Sequence, residues 1–551
     1  MIARRKFLFG TAALALASPA FAQVTGEQAL WKSVGTGQVS GGTKARTLQQ
    51  RSGDFINVRD YGAVGDGSTD DTAAIQAAFN DIKIQSVGSG TVVTLPSAPQ
   101  GHVYFPAGTY KVASNINMNN LGSVAVTGDG PGSAIIGSFG PTTADTTSTF
   151  NIASSLVNWT AAGAAPANGR LIGIVSTTGT LPTPLAVGNL YYIVSSSGTT
   201  CKLSNTSGGA ALTLGGSQSG TTVLVDMLSG FIFGATTQNN NGNGPAIFRD
   251  LNIQNGATSR FSGCILTVTP TQVDTCQLGG FNCLDFVVGT GNANGQGSPA
   301  TATACSVRNT EFRCSAAATV VGSWGVCIGN AQSVFDCDLE SFDNAIRHNS
   351  TGGNIASTRI EVSHVGVALG IDDFGTSVQS TGLNILDGSY EANDIGILNI
   401  GGASSCTVSG TAMLGEAGAP NGNSQKGIDW VSGNFNTCIS CAMNGQNSAW
   451  TIGGFNSAAN GNNVYISCTS TGANPWVVAT GNVFINSNNP SSTITSTFAN
   501  LPGSGVRYIG QTAIITDCTT TTVGAVAAGG GANTVPVQWW GANWRVLASG
   551  V

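Results

Sequence analysis

Four short stretches of this chain can be laid under one another so that like residues fall into columns. Ala318, Ala345, Gly366 and Gly396 align as one small-residue position, spaced 27, 21 and 30 residues apart, and read as a turn. Six residues before each stand Phe312, Leu339, Ile360 and Tyr390, and four before stand Cys314, Ser341, Val362 and Ala392. Both columns fall on one strand face, mostly apolar and therefore inward. An irregular repeat of this length is the mark of a solenoid, in which each unit buries its apolar edge only by stacking on the next. The intervening positions must then face outward. Five residues before the aligned position stand Arg313, Glu340, Glu361 and Glu391; seven before stand Glu311, Asp338, Arg359 and Ser389; two before stand Ala316, Asp343, His364 and Asp394.

The start of the chain agrees with a solenoid. Residues 54–79 read DFINVRDYGAVGDGSTDDTAAIQAAF: a short strand, a loop with Gly62, Gly65 and Gly67, then Ile75, Ala78, Phe79 and Ile82 on one helical face. Thr69 or Asp70 suits the helix cap and Asp71 its positive end, so the acidic loop is read as structural rather than as a metal site. VYFPAGTYKV (103–112) follows as strand, Pro-Gly turn and strand. This opening resembles that of the pectate-lyase-like superfamily. The resemblance implies an all-β, right-handed parallel β-helix whose N-terminal helix covers the open end.

Composition divides the rest. Arg4-Arg5-Lys6, the apolar run Phe7 to Ala17 and Ala20-Phe21-Ala22 make residues 1–22 a signal peptide resembling the twin-arginine kind, so the mature protein is expected to be periplasmic or secreted. Losing that segment takes the net charge from −6 to −9, which disfavours nucleic acid and membrane surfaces as partners. Residues 23–52 are a polar lead-in and 53–140 the cap and first coils. Residues 141–235, with only four charged residues (Asp145, Arg170, Lys202 and Asp226), are an inserted β-module. The solenoid body covers 236–490, and 491–551 is a C-terminal β-module. The insert and C-terminal unit resemble modules of phage tail proteins. Trp539, Trp540 and Trp544 are read there as exposed rings serving packing, with a homotrimer interface or sugar contact as their uses. The 13 cysteines show one CxxC (Cys438–Cys441) and no zinc pattern, and are read as small apolar residues stacked in the solenoid.

Residues 311–394 hold 11 of the 27 acidic residues, so chemistry is expected there. Strands on adjacent coils lie about 4.8 Å apart, which sets Glu340, Glu361 and Glu391 near the carboxylate separations of retaining and inverting glycosidases. Crowding raises one carboxyl's pKa and leaves it able to act as an acid. Asp338, Arg359, His364, Asp343, Asp394 and Arg313 are the expected substrate contacts. The competing account is a solvated face whose Arg and Glu pair across coils. The polygalacturonase pattern is absent: there is no G-H-G, and Arg359-Ile360-Glu361 precedes Asp372-Asp373. Elimination would call for calcium; hydrolysis calls for no cofactor. The expected function is thus an exported enzyme acting on a polysaccharide, by hydrolysis ahead of β-elimination. The alternative is a tail-spike- or adhesin-like protein that binds glycan without cutting it.

Overall fold

The computed structural model describes residues 55–548 apart from 83–100, 119–123, 161–164, 167, 169, 188, 206–208, 236–245, 260, 268–270, 286–304, 315–321, 330, 371–379, 400–403, 417–418, 422–423, 432–434, 446–452, 458–461, 472–475, 479–481, 486, 488–493 and 502–511. The signal segment, the polar lead-in, Ala316, Ala318 and Asp372-Asp373 lie outside the described residues.

Three long parallel sheets dominate. In the solenoid body the hydrogen-bonded neighbours within each sheet are three strands apart in sequence, so every coil gives one strand to each sheet. This is a right-handed parallel β-helix. The coil Ser333–Phe335, Asp338–Glu340, Asn344–His348 is representative, with one strand each in the first, second and third sheet. Inward columns fill the interior: Val334–Ile355–Ile385–Val408 in the first sheet and Leu339–Ile360–Tyr390–Met413 in the second. Ile346–Val367–Ile397–Ile428 does the same in the third, and these side chains are at most 2% exposed.

The corners are sharp because single residues adopt the left-handed conformation, which L-residues tolerate singly at some cost. Asp336 (φ 52°) and Ser341 (φ 70°) turn one coil, Ser357 (φ 53°) and Val362 (φ 49°) the next, Asp387 (φ 52°) and Ala392 (φ 50°) the third. Ser341, Val362 and Ala392 are therefore corner residues rather than inward strand residues, and their N–H groups donate to the Glu361, Glu391 and Leu414 carbonyls of the following coil. The small-residue column is also reassigned. Ala345, Gly366 and Gly396 are second residues of third-sheet strands, not turns. A Cβ on Gly366 would meet the Gly396 carbonyl oxygen at 2.5 Å, and one on Gly396 would meet Met413 Sδ at 2.6 Å. Crowding inside the coil demands the small residue.

Cysteine serves the first corner. Cys276 and Cys337 donate their thiols to the carbonyls two residues back, Asp274 at 3.4 Å and Phe335 at 3.1 Å, as Thr310 does to Arg308 at 2.7 Å. None of the 13 cysteines is in a disulfide, and burial pushes the Cys276 and Cys337 thiols up to about 12, leaving them unreactive near neutral pH.

The helix Thr72–Asn80 buries Ile75, Ala78 and Phe79, with Phe79 packed 5.8 Å from Phe233. Its acidic loop binds its own backbone: Asp71 accepts from Val64 and Gly65, Asp66 from Ser68 and Thr69, and Asp70 from Thr72. Residues 143–226 form a closed barrel around Phe150, Trp159, Tyr191 and Leu224. It sits between the second-sheet strand Ser133–Gly137 and the third-sheet strand Phe231–Ala235 of one coil, joined to the solenoid through Leu171, Tyr192, Phe231 and Phe261. The C-terminal four-stranded sheet spans Ile494–Val546. There Trp539 and Trp544 are core residues with rings 5.7 Å apart, and Trp540 alone of the three is exposed, because it lies past the end of the strand Asn533–Trp539 in the turn that leads to the strand Trp544–Val546. Among the described residues no helix is long and apolar enough to cross a membrane.

Candidate functional site

The outer face of the second sheet brings the predicted ladder together in register. Arg313, Glu340, Glu361 and Glu391 stand side by side on successive coils, beside a second column of Glu311, Asp338, Arg359 and Ser389. They share a face because each strand places one buried residue, Phe312, Leu339, Ile360 or Tyr390, between two outward ones.

Both arginines are held by carboxylates on either side. Arg313 pairs with Glu311 (Nε–Oε1 2.5 Å) and with Glu340 of the next coil. Arg359 pairs with Asp338 (3.6 Å) and with Glu361. Glu391 takes a hydrogen bond from Ser389 Oγ at 3.2 Å and stands in register beside Glu361 on the next coil. Glu361 is more enclosed than Glu340, with 18% of its side chain exposed against 33%. Burial raises its pKa, Arg359 pulls it down, and the Glu391 charge and hydrogen bond push it up again. Asp338 is also raised, first by burial, and its Oδ1 is buried without a hydrogen-bond partner. A carboxyl raised by burial and by a neighbouring carboxylate is suited to act as an acid.

His364, Asp343 and Asp394 do not join this face. They lie past the left-handed corner, between the second and third sheets, as a stack of their own on three coils. His364 Nδ1 is 3.0 Å from Asp343 Oδ1, and its Nε2 is 3.8 Å from Asp394 Oδ2. Asp343 also accepts from Gly322 N–H at 2.8 Å. Burial pushes the Asp394 carboxyl up, against the pull of Asn421, which donates from its backbone (2.9 Å) and amide (2.6 Å), and of His364. Among the described residues no group of three or more His, Cys, Asp or Glu side chains is placed to hold a metal ion.

Comparison with known proteins agrees with the geometry. Residues 55–159 match the family described as rhamnogalacturonase A/epimerase, pectate lyase-like. Those residues carry a pectate-lyase-like domain. Over 86 residues the chain is 38% identical to the mannuronan C5-epimerase AlgE3 of Azotobacter vinelandii, covering 15% of this chain and 4% of that protein. Over 62 residues it is 47% identical to a probable glucan endo-1,3-beta-glucosidase of Arthroderma benhamiae, covering 11% and 7%. The chain thus spans under a tenth of either relative's length. The tailspike protein of Escherichia coli bacteriophage HK620, solved with a pentasaccharide, superposes with a TM-score of 0.52 at 10% identity, covering 85% of this chain and 71% of that one. That likeness shows the fold.

In the β-helix that follows this pectate-lyase-like domain the two columns continue upstream of the charged ladder. Gln254 and Gly279 precede Arg313 in one column, and Asn252 and Gln277 precede Glu311 in the other. Gln254, Gln277, Leu278, Gly279, Glu311 and Arg313 line a shallow cavity of about 90 Å³. The sequence signal is the pair of strands NIQ and QLG, each an outward–inward–outward triplet just after a left-handed corner at Asp250 or Thr275.

Proposed function

We propose that this is an exported polysaccharide-processing protein that hydrolyses glycosidic bonds on the outer face of its second sheet. One observation carries the reading: from Asn252 to Asn444 the charge in these two columns is confined to the coils between Glu311 and Glu391, and it returns upstream only on the N-terminal strands, at Lys111, Asp66 and Asp70. In the same two columns the upstream coils present Asn252, Gln254, Gln277 and Gly279, and the downstream coils Ala412, Leu414, Ala442 and Asn444. A face made acidic for solubility would not stop at both ends.

Glu361, enclosed and raised, is assigned as the general acid that protonates the leaving oxygen. Glu391 is the carboxylate that acts opposite it once substrate parts the pair. Arg359 holds Glu361 in place; Asp338, Glu340 and Arg313 receive the neighbouring sugar units. The mature protein should release reducing ends from a polysaccharide without unsaturated products and without loss in EDTA. Glu361→Gln and Glu391→Gln should each remove that release. Release retained in both variants would overturn the assignment, and unsaturated products lost on chelation would replace hydrolysis by elimination.

A second reading is favoured by the ion pairs. Glu340 and Glu361 are each tied to an arginine, as in a surface that binds glycan and does not cut it. Saturable binding with no product after prolonged incubation would select the tail-spike- or adhesin-like alternative.

A further inference from the structure

We infer that the groove takes a chain of uncharged, hydroxyl-rich sugar units rather than a polyuronate, and that the cavity at Gly279 is the subsite for a unit beyond the acidic coils. The inference rests on the preceding reading that glycan lies along the second sheet, and deepens it.

The first argument is charge. The two columns between residues 311 and 391 hold five carboxylates (Glu311, Asp338, Glu340, Glu361 and Glu391) and two cations (Arg313 and Arg359). Each cation is already shared by two of those carboxylates. Asp343 and Asp394 add further negative charge past the corner, opposed there by His364. Basic side chains elsewhere on these coils are occupied: Arg308 lies on the first sheet over the Phe335 ring at 5.2 Å, and Arg347 is stacked on Trp324 at 4.6 Å. A polyuronate would have to break an Arg–carboxylate pair at each acidic unit and set its own carboxylates against Glu340, Glu361 and Glu391. Like charges brought together in this way oppose binding. A neutral chain meets no such cost, because its hydroxyls donate to the carboxylates and accept from the arginines.

The second argument is the cavity. At the position where the next coils carry Arg313 and Glu340, glycine leaves a notch in the outward row. Two amides frame it: Gln277 Nε2 donates to Glu311 Oε2 at 3.0 Å, and Gln254 Nε2 to Asn252 Oδ1 at 2.9 Å. Each amide has a second hydrogen and a carbonyl oxygen, so the walls can both donate to and accept from sugar hydroxyls. Gly279 does not have a positive φ, and a Cβ there would approach no heavy atom closer than 3.3 Å, the Cγ of the flexible Gln254 side chain. The backbone does not demand glycine; the open space is its consequence.

The test is calorimetric titration of the full-length mature protein with two probe sets: oligosaccharides of β-glucan, mannan and dextran, and oligogalacturonates and oligomannuronates. Both are run at 50 and at 500 mM sodium chloride. The expected result is binding of at least one neutral oligosaccharide with little salt dependence, and uronate binding at least tenfold weaker at low salt. Gly279→Leu, which fills the notch, and Gln254→Ala, at an exposed position, should each weaken the neutral ligand several-fold with unchanged thermal unfolding. Uronates binding tighter than every neutral probe would overturn the charge inference and leave the glycan reading standing. Unchanged affinity in both variants would overturn the subsite. Binding of neither probe set would overturn the glycan reading itself.

Discussion

The first and second sheets of the β-helix are built from the same coils, yet their outer faces differ completely. Between residues 306 and 386 the first sheet presents Ser306, Arg308, Ser333, Phe335, Asn354, Ala356, Asn384 and Leu386. The second presents Glu311, Arg313, Asp338, Glu340, Arg359, Glu361, Ser389 and Glu391. One side carries a single charge in eight positions and the other carries seven. Both strands have the same triplet pattern, with the central residue buried and its two neighbours at least partly exposed. The first face stays in water with serine, asparagine and alanine, and Asn384 hydrogen-bonds to Asn354 across coils at 3.1 Å. Folding and solubility therefore do not require the second face's charges.

The sharpest way to break the comparison is to remove charge from each face in turn. Glu361→Gln on the second sheet should lower the rate of reducing-end release by roughly 10²- to 10⁴-fold, the usual worth of a general acid. Arg308→Gln on the first sheet should leave the rate within twofold. Equal losses from the two variants would mean that the faces are not functionally distinct.

The next effect separates the outside of the second sheet from its inside. Ile360, fully buried between Arg359 and Glu361, packs in the column Leu339–Ile360–Tyr390. Ile360→Ala should cost about 2–5 kcal/mol, the range for deleting a large buried aliphatic side chain. Urea unfolding would report it as a lowered midpoint. A loss below about 1 kcal/mol would show that the column is not the packed core that positions the ladder.

That inside column was legible in the sequence, and the reason is physical. Alternation along a strand puts every second residue in the core, so Phe312, Leu339, Ile360 and Tyr390 announce themselves as apolar, and the charged residues beside them follow at fixed offsets. The same offsets correctly set Glu340, Glu361 and Glu391 side by side. They failed once the chain left the strand. The third-sheet partner of Ala345 in the preceding coil is set by the pairs Trp324–Asn344 and Val326–Ile346, which align Gly325 with it, not Ala318. Coils differ in length between sheets, so a column anchored on one strand cannot be carried to the next. His364, Asp343 and Asp394 keep their register with one another but leave the ladder's face, since the left-handed Ser341, Val362 and Ala392 turn the chain between them and the ladder. Those corners carry no glycine signal: serine, aspartate, alanine and even valine occupy them, held by hydrogen bonds to the following coil.

A smaller effect distinguishes neighbours within the second face. The raised pKa of Glu361 owes part of its height to Glu391. Glu391→Gln removes that charge, so the Glu361 pKa should fall toward the ordinary glutamate value. The same carboxyl bears on stability. Its folded-state pKa is raised above the unfolded value, so the folded protein binds the proton more tightly. As pH climbs from the unfolded-state pKa through the raised one, the folded state loses stability, and below both values there is no loss. In Glu391→Gln that loss should shrink, and the thermal midpoint at neutral pH should rise relative to its value at pH 4. A Glu361 carboxyl that titrates in the variant as in the parent, followed by NMR, would separate the two side chains and remove the acid from the mechanism.

The smallest effect decides whether the ladder is a scaffold. Arg313 bridges Glu311 and Glu340, but more than half of its side chain is exposed. Exposed ion pairs contribute about 0–1 kcal/mol, since water screens the charges and ordering two long side chains costs entropy. Arg313→Gln should therefore shift the urea midpoint by an amount equivalent to less than about 1 kcal/mol, while leaving Glu311 and Glu340 as unneutralised neighbours. The carboxylates would then repel, so the residual destabilisation should fade as salt is raised to 1 M, where the screening length falls to about 3 Å. A salt-independent loss of several kcal/mol would reverse the argument, because the charges would then be holding the coils together and the difference between the two faces would be one of construction.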